Sequence, residues 1–582
     1  MNLTYFRLMR SLWQHGAAWR VKIVGYHCLF IIAQLIAMLS PYFFGLAFNV
    51  LQTVSKHTIY DAVFWLSMCI VCHVLFFVFQ VPGRILERTV AFKIKEHFVL
   101  TLYQQLTLLP LAWHQDNHSG GIVTKINRAA GGLQRFAENQ SVFVQAVLKL
   151  GVSIGFLLWI SLPVGILAVS LSCLVTVMFL LFDRQLVPLY EMRNRLENRI
   201  GAVLFDYINN MTTILTLRLH SLTQSHLAKR MAPVWDPFRR EVVLNETKRH
   251  LFTMIMISMV TLILIGYVMY TATLTGTFML GSFIMISRYQ MEMNAVFMQA
   301  GGYYNDWVRM DTDVGSIHTL IADVECWGKP PHEVMADVPA WQSITVSQLA
   351  FSHIDTEREQ ILADVAFTIT RGQKIALIGA SGAGKSTLLN VLRGLYTPSS
   401  GTLAIDGVVF DSLVPLYGMT TLIPQDPELF EDTIDFNVTC DAPASPAEIE
   451  SAVQLAGFAE VLAVLPQGLE TDIREKGLNL SVGQKQRLAL ARGLFVAQQS
   501  SIVLMDEPTS SVDLVTEKKI LIGIFSALPE ATCIVSLHRL HLLQNFDAVI
   551  MLQEGKVIAS GPVAELLHAP GPVRDMWLEY QK

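Results

Sequence analysis

The stretch Gly379-Ala-Ser-Gly-Ala-Gly-Lys-Ser-Thr387 decides the fold of the second half of the chain. It holds a complete G-x-x-x-x-G-K-S phosphate loop, Gly379 to Ser386. The apolar run Lys374-Ile-Ala-Leu-Ile378 before it reads as a buried strand, and Leu388-Leu-Asn-Val-Leu392 after it reads as the start of a helix. Strand, loop and helix in that order give the motif its physical meaning. Gly379, Gly382 and Gly384, with the small residues Ser381 and Ala383, let backbone N–H groups close around the β- and γ-phosphates of a nucleotide. Lys385 supplies a point charge, and the Ser386 hydroxyl, beside Thr387, can ligate Mg²⁺. The N-terminus of the following helix favours an anion. The loop therefore predicts ATP and Mg²⁺ as cofactors.

A second half of the site follows at Ile502-Val-Leu-Met-Asp-Glu507. Four apolar residues read as a strand that delivers two carboxylates at its end. Asp506 is placed to hold Mg²⁺, directly or through water. Glu507, one residue beyond, is placed to polarise the attacking water.

Between these sites lies Leu480-Ser-Val-Gly-Gln484, followed by Lys485-Gln486-Arg487. Here the chain resembles the ATP-binding-cassette family, whose signature is LSGGQ. The resemblance assigns Ser481, Gly483 and Gln484 to nucleotide binding. Gln425, in Ile423-Pro-Gln425-Asp426, looks like the family's Q-loop glutamine, which implies a role in catalysis and at Mg²⁺. Ser511-Val-Asp513 looks like its D-loop, and His538, in Leu537-His-Arg-Leu540, like its catalytic switch histidine. Two positions depart from the pattern. Val482 replaces the first signature glycine, and its β-carbon crowds a backbone expected to approach phosphate. His353 stands where the family usually has a tyrosine stacked on adenine; imidazole still stacks, with less area. Phe351 reads as core.

The 582 residues are 52% hydrophobic and 16% charged, with a mean hydropathy of +0.42, too apolar for a soluble enzyme. The net charge of −5 points away from a nucleic-acid partner. No small-residue cleavage site follows a short apolar core near the N-terminus, so no cleaved signal peptide is expected. Residues 1–60 contain no Asp or Glu. The segment with Phe6, Leu8, Leu12 and Trp13, and basic Arg7 and Arg10, is expected to lie along the inner membrane surface as an interfacial helix, in contact with membrane lipid. The seven cysteines show no disulfide or zinc framework. Cys69-Ile-Val-Cys72-His73 matches the c-type haem pattern only formally, inside an apolar run from Val63 to Phe79.

Six apolar segments occupy 22–50, 60–82, 140–161, 163–183, 251–272 and 278–300. Each reaches the about 20 residues that cross a bilayer core, and Pro41 is expected to kink the first. The connections near 51–59, 162 and 273–277 are short. Those at 83–139 and 184–250 are long and basic, with Arg84, Arg88, Lys93, Lys95, Lys125 and Arg128 in one and Arg193, Arg195, Arg199, Lys229, Arg230, Arg239 and Arg240 in the other. The positive-inside rule puts both long connections in the cytoplasm, and six spans place both termini there. Apolar residues recur through them at helical spacing, so they read as helical extensions of the spans.

The whole chain thus reads as multi-domain: a six-helix all-α transmembrane domain at 1–325, a polar linker at 326–340 and an α/β P-loop ATP-binding cassette at 341–582, alternating strand and helix as in a mostly parallel sheet. The layout resembles the family's exporter-type half-transporters. That resemblance implies short coupling helices at 113–118 and 205–211, the first docking near Gln425. It also implies a dimer, because the signature of a second cassette completes each nucleotide site. All catalytic positions are present in one chain, so a homodimer is the simplest assembly. The membrane is expected to be a bacterial inner (plasma) membrane.

Arg288, roughly 16 Å along the last span by helical rise, lies near mid-membrane and should face the central cavity. Glu292 is one turn on, and the two are candidates for pairing with each other or for contacting substrate. Met285, Met291, Met293 and Met298 offer adaptable surface. The stretch 281–287 and the cassette's tail resemble exporters of antibacterial lasso peptides, which makes an amphipathic peptide the leading cargo. The alternatives are an exporter of lipid, drug or thiol compounds, a siderophore-type importer on the same fold, and an ATP-gated channel. Intact Glu507 and His538 disfavour the channel, since a gate has no need of turnover.

Overall fold

A computed structural model describes the protein from residue 2 to residue 581, except 53–55, 118, 277, 328–340, 353–360, 427 and 475–478. The chain forms two compact units. One contains Met1–Thr107 and Ser119–Asp323; the other contains Leu108–His118 and Val324–Lys582. Most of the linker expected at 326–340, and His353, lie outside the described residues.

The first unit is helical. Its first span is two helices, Arg20–Ala37 and Ser40–Leu51, with Pro41 in the first turn of the second. Proline is tolerated there, where its missing N–H has no partner to lose, so the expected kink is a full break. Lys56–Leu106 and Leu162–Asn209 are continuous helices of 51 and 48 residues, so the long basic connections are helical extensions of the spans, as their spacing indicates. Gln140–Ile160, Trp235–Tyr270 and Leu280–Gly315 complete the bundle. Among the described residues, four stretches are long and apolar enough to cross a membrane: Ala17–Leu51, Thr58–Leu106, Gln140–Ile160 and His220–Thr273. Leu162–Met178 is a shorter apolar stretch. Leu280–Gly315 falls below that measure, because Arg288, Gln290, Glu292 and Asn294 interrupt its apolar residues.

The helix Ser40–Leu51 meets Leu280–Gly315 at small residues. A β-carbon on Gly281 would stand 1.9 Å from the Gly45 carbonyl oxygen, and one on Gly45 would strike Met285. Close backbone approach of this kind is how helices associate where no water drives them together. Asn49 Oδ1 also accepts from the Gly281 N–H at 2.8 Å. Much of the stretch that suggested a peptide cargo therefore serves helix packing.

The N-terminal helix Asn2–His15 packs one of its faces into the helical unit. Leu8 and Leu12 are fully buried, Tyr5 stacks on Phe143 with centroids 4.2 Å apart, and Arg7 pairs with Asp311. Only the opposite face is left outside.

The second unit is layered α/β. Its strands are β1 (Ser343–Phe351), β2 (Leu362–Thr370), β3 (Lys374–Ile378), β4 (Ser400–Ile405), β5 (Val408–Phe410), β6 (Thr420–Ile423), β7 (Ile502–Asp506), β8 (Thr532–Ser536), β9 (Ala548–Gln553) and β10 (Lys556–Pro562). The larger sheet runs β10-β9-β3-β8-β7-β6, parallel except for β10. The smaller one, β2-β1-β4-β5, is antiparallel. The expectation of a mostly parallel sheet holds for the first and misses the second. β3, β7 and β8 are buried at every residue, as strands covered on both faces must be. Phe351 is core, stacked on Tyr396 at 5.2 Å.

The segment expected to couple the two halves is a helix at Leu111–Asp116 and belongs to the second unit. Gln115 shares a hydrogen bond with the Tyr396 hydroxyl at 3.3 Å. Of the second segment expected to couple the halves, 205–211, residues 205–209 are still the end of the long helix Leu162–Asn209, and a short helix follows at Met211–Thr216.

Candidate functional site

The phosphate loop is held between a buried strand and a helix. Gly379 has φ +151°, and a β-carbon there would stand 2.3 Å from the Leu552 carbonyl oxygen on β9. Gly382 and Gly384 also have positive φ, and Gly384 precedes the helix Lys385–Arg393. That helix makes its first bond from Leu388 N–H to the Gly384 carbonyl, so the N–H groups of Lys385, Ser386 and Thr387 are its unpaired first-turn donors. Ser381 and Ser386 are exposed beside them, and Ala383 is buried. Lys385 is only 6% exposed, and its Nζ folds over the loop onto the carbonyls of Gly379 (2.9 Å) and Ala380 (3.2 Å). Burial lowers its pKa below the usual lysine value, against the pull of Glu507 and Asp506. A buried cation, free helix-end donors and a cradle that rejects side chains fit a nucleotide's phosphates.

Three strand ends converge opposite the loop. Asp506, buried at the end of β7, accepts from Ser536 Oγ at 2.6 Å. Glu507 follows with φ +46°, a left-handed turn that non-glycine residues seldom take. Its N–H donates to the same Ser536 Oγ at 2.9 Å. Its carboxylate accepts from Gln425 Nε2, just beyond β6, at 3.0 Å, and meets His538 Nε2, just beyond β8, at 2.6 Å. The structure thus brings Glu507, Gln425 and His538 together as the sequence predicted. A carboxylate held between an amide and an imidazole can orient and polarise a water. Ser386, Gln425 and Asp506 would be the Mg²⁺ ligands; here Gln425 is turned to Glu507.

The signature begins a helix, Val482–Ala497. Ser481 caps it: Ser481 Oγ accepts from Gln484 N–H at 3.3 Å, and Gln484 Oε1 accepts from Ser481 N–H at 2.9 Å. This reciprocal box spends both side chains on the helix end. Gly483 packs closely on the D-loop, since a β-carbon there would lie 3.0 Å from the Ser511 carbonyl oxygen. Val482 is 67% exposed.

Residues without an assigned role in the sequence reading hold this frame. Gln486 Nε2 donates to the Glu507 carbonyl and to Ser510 Oγ, both at 3.0 Å, and its Oε1 accepts from Ser511 N–H. It ties signature helix, catalytic turn and D-loop together. Buried Glu517 accepts from Thr509 and Arg539, and Arg539 also donates to the Val512 carbonyl. Gln486 was visible two residues past the signature, but nothing in its spacing marked it.

In the membrane unit the predicted pair separates. Glu292 bonds to Lys149 Nζ, on Gln140–Ile160, at 2.8 Å. The Arg288 guanidinium lies 4.3 Å from the centre of the Phe44 ring. The two had better partners on other helices than across one turn. Met285 and Met293 are core, whereas Met291 is exposed; the side chain of Met298 lies outside the described residues. Further along, Pro188, Glu191, Met192, Arg195, Leu196 and Arg199 line a hollow of about 440 Å³ on one face of Leu162–Asn209.

Residues 362–510 match the family model described as ABC transporter. The chain is 26% identical over 496 residues to an ATM1-type heavy metal exporter of Novosphingobium aromaticivorans, spanning 83% of this chain and 79% of that one. It is 28% identical over 505 residues to ATP-binding cassette sub-family B member 6 of Rattus norvegicus, covering 82% of this chain and 57% of the relative. A 232-residue match, 36% identical and 39% of each chain, is to an ATP-dependent lipid A-core flippase of Burkholderia thailandensis. A bacterial Atm1-family ABC exporter solved with ATP bound superposes with a TM-score of 0.80 over 97% of this chain and 99% of that one, at 23% identity.

Proposed function

Because this chain is an ATP-binding-cassette half-transporter of the exporter type, with ATP hydrolysis coupled to transport, we propose that it works as a homodimer that expels an amphipathic cargo bearing an anionic group. The observation carrying the ATPase half is Glu507 held between Gln425 and His538 across from a phosphate loop. In this reading Glu507 polarises water, His538 and Gln425 position it, and Asp506, Ser386 and Gln425 hold Mg²⁺ when it is bound. Ser481, Gly483 and Gln484 serve the nucleotide of the partner chain, which is why two copies are needed. A shift between inward and outward states from 1:99 to 99:1 needs about 5.5 kcal/mol of preference for one state, and two sandwiched nucleotides are a plausible source.

The cargo reading rests on cations. Arg288 in the last membrane helix, and Arg195 and Arg199 along the hollow, offer guanidinium groups that suit carboxylate or phosphate. Met192, Leu196 and exposed Met291 offer apolar contact beside them. Two of the relatives named above carry heavy metal and lipid A-core in their names, and none carries a peptide there; an amphipathic peptide remains within the chemistry of the site only if it is acidic. The basic long connections support a cytoplasmic location for both termini, and a bacterial plasma membrane is the proposed location. ATPase rate in lipid discs tests the cargo directly, against a panel of acidic and basic peptides, acidic lipids, and thiol compounds free and as metal complexes. Stimulation by anionic members is expected. Stimulation confined to basic or neutral members would overturn the cargo reading and leave the ATPase assignment standing.

A further inference from the structure

We propose that the outward face of the N-terminal helix is a binding surface for the headgroup of an anionic phospholipid. The helix Asn2–His15 has two faces at helical spacing. Tyr5, Leu8 and Leu12 are spent on the bundle, as described. Phe6, Arg10 and Trp13 form the opposite stripe; Phe6 is 64% and Trp13 41% exposed, and Arg10 is exposed with them. The stripe continues past the turn to Val21, 87% exposed. Burial of the inner face fixes the roll of the helix, so it cannot turn its aromatic rings away from what lies outside.

What lies outside is set by position and charge. The stripe adjoins the start of Ala17–Leu51, which is long and apolar enough to span a membrane, so it stands at a bilayer boundary, where tryptophan and arginine gather. Among the described residues, Arg10, Arg20 and Lys22 form no ion pair, and the first 60 residues supply no carboxylate to make one. Arg7 differs, being matched to Asp311. Arg20 is also pre-arranged. Its guanidinium lies 5.0 Å from the centre of the Trp13 ring, and Nε and Nη2 donate to the Trp13 carbonyl at 3.4 and 3.3 Å. The ring and the charge are thereby clasped as one unit, apolar on one side and cationic on the other, which matches a phosphate above acyl chains. An apolar anchor needs no such unmatched charge, and a neutral headgroup would leave it uncompensated.

The test uses the full-length protein in lipid vesicles, with phospholipids brominated on their acyl chains as quenchers. The Trp13 signal is taken as the difference between wild type and Trp13→Phe. Each cation near an anionic surface is worth about fivefold in partition, so brominated phosphatidylglycerol should quench Trp13 at several-fold lower mole fraction than brominated phosphatidylcholine. The preference should shrink as salt rises and disappear in the Arg10→Gln, Arg20→Gln double variant, whose unchanged basal ATPase rate reports intact folding. The salt series on wild type tests the charge even if that variant fails to fold. Equal quenching by the two lipids would reduce the stripe to an apolar anchor and overturn the proposal. So would the absence of Trp13 quenching by either lipid, or a preference that survives the double variant.

Discussion

Glu507 Oε1 and His538 Nε2 stand 2.6 Å apart, while the other carboxylate oxygen is taken by Gln425 Nε2 at 3.0 Å. The three side chains leave three different strand ends of one sheet. Both oxygens of the carboxylate are therefore engaged from neighbouring strands, and its backbone is pinned by Ser536 and Gln486. The side chain is held in place by protein groups alone.

The first prediction is for that carboxylate. Glu507→Gln keeps the shape and the left-handed turn but removes the base, so ATP binding should persist while turnover falls by about 10²-fold or more. Nucleotide binding and phosphate release measured on the same preparation check this. Turnover near wild type would show that another group activates the water.

Gly379→Ala tests the cradle. Its β-carbon would lie 2.3 Å from the Leu552 oxygen at φ +151°, so β9 must shift or the loop must open. Strain of this kind costs about 1–3 kcal/mol. ATP affinity should fall by about tenfold or more, with a lower melting temperature. An unchanged affinity would mean that the loop rearranges when nucleotide binds.

Val482 is largely exposed, so in the proposed dimer its effect would fall on the nucleotide of the partner chain. Val482→Gly should raise ATP affinity or turnover by a few-fold in the assembled transporter. The apo protein should lose up to about 1 kcal/mol of stability, because glycine is a poor helix former. Equal ATPase rates for the two proteins would show that the signature backbone already accommodates valine.

Arg288 and Glu292 have separate partners, so they should behave as separate residues. Arg288→Ala gives up a ring contact worth about 0.5–2 kcal/mol and strands no carboxylate; yield and basal ATPase should hold while cargo stimulation is lost. Lys149→Ala leaves Glu292 without its cation and should lower yield, with recovery in the Lys149→Ala, Glu292→Gln double variant. Lost yield in Arg288→Ala would instead make Arg288 a structural residue.

The nucleotide site was legible because its parts are local. Strand, loop and helix around Gly379 are contiguous, and each carboxylate of the second half sits at the end of its own apolar run. The apolar helices and their extensions were legible for the same reason, although among the described residues only four stretches are long and apolar enough to cross a membrane, against the six expected. What escaped depended on distant residues. Nothing near Glu292 names Lys149 as its partner, and one turn of helix made Arg288 look sufficient. The N-terminal segment showed its amphipathicity, but not that its apolar side would be taken by Phe136, Phe143 and Trp307. The antiparallel sheet left a trace that went unread: β2 alternates buried and exposed residues, whereas the parallel strands β3, β7 and β8 are buried throughout. Gln486 was quoted but given no task, since an amide that bonds backbone groups leaves no periodic trace.

The second unit takes in Leu108–His118, more than 200 residues upstream of the rest of it at Val324–Lys582. Synthesis runs at about 5–20 residues per second, so those residues wait roughly 10–40 s before the rest of their fold begins to be made and roughly 20–90 s before it is complete. Trp113, buried in the finished protein, is without its surroundings throughout that interval. A cassette produced from a gene beginning at the linker would have the opposite defect, a fully made fold with one of its pieces never supplied. The two halves are separable as functions but interleaved as objects of biosynthesis, and cutting the gene between them does not cut the protein into its parts.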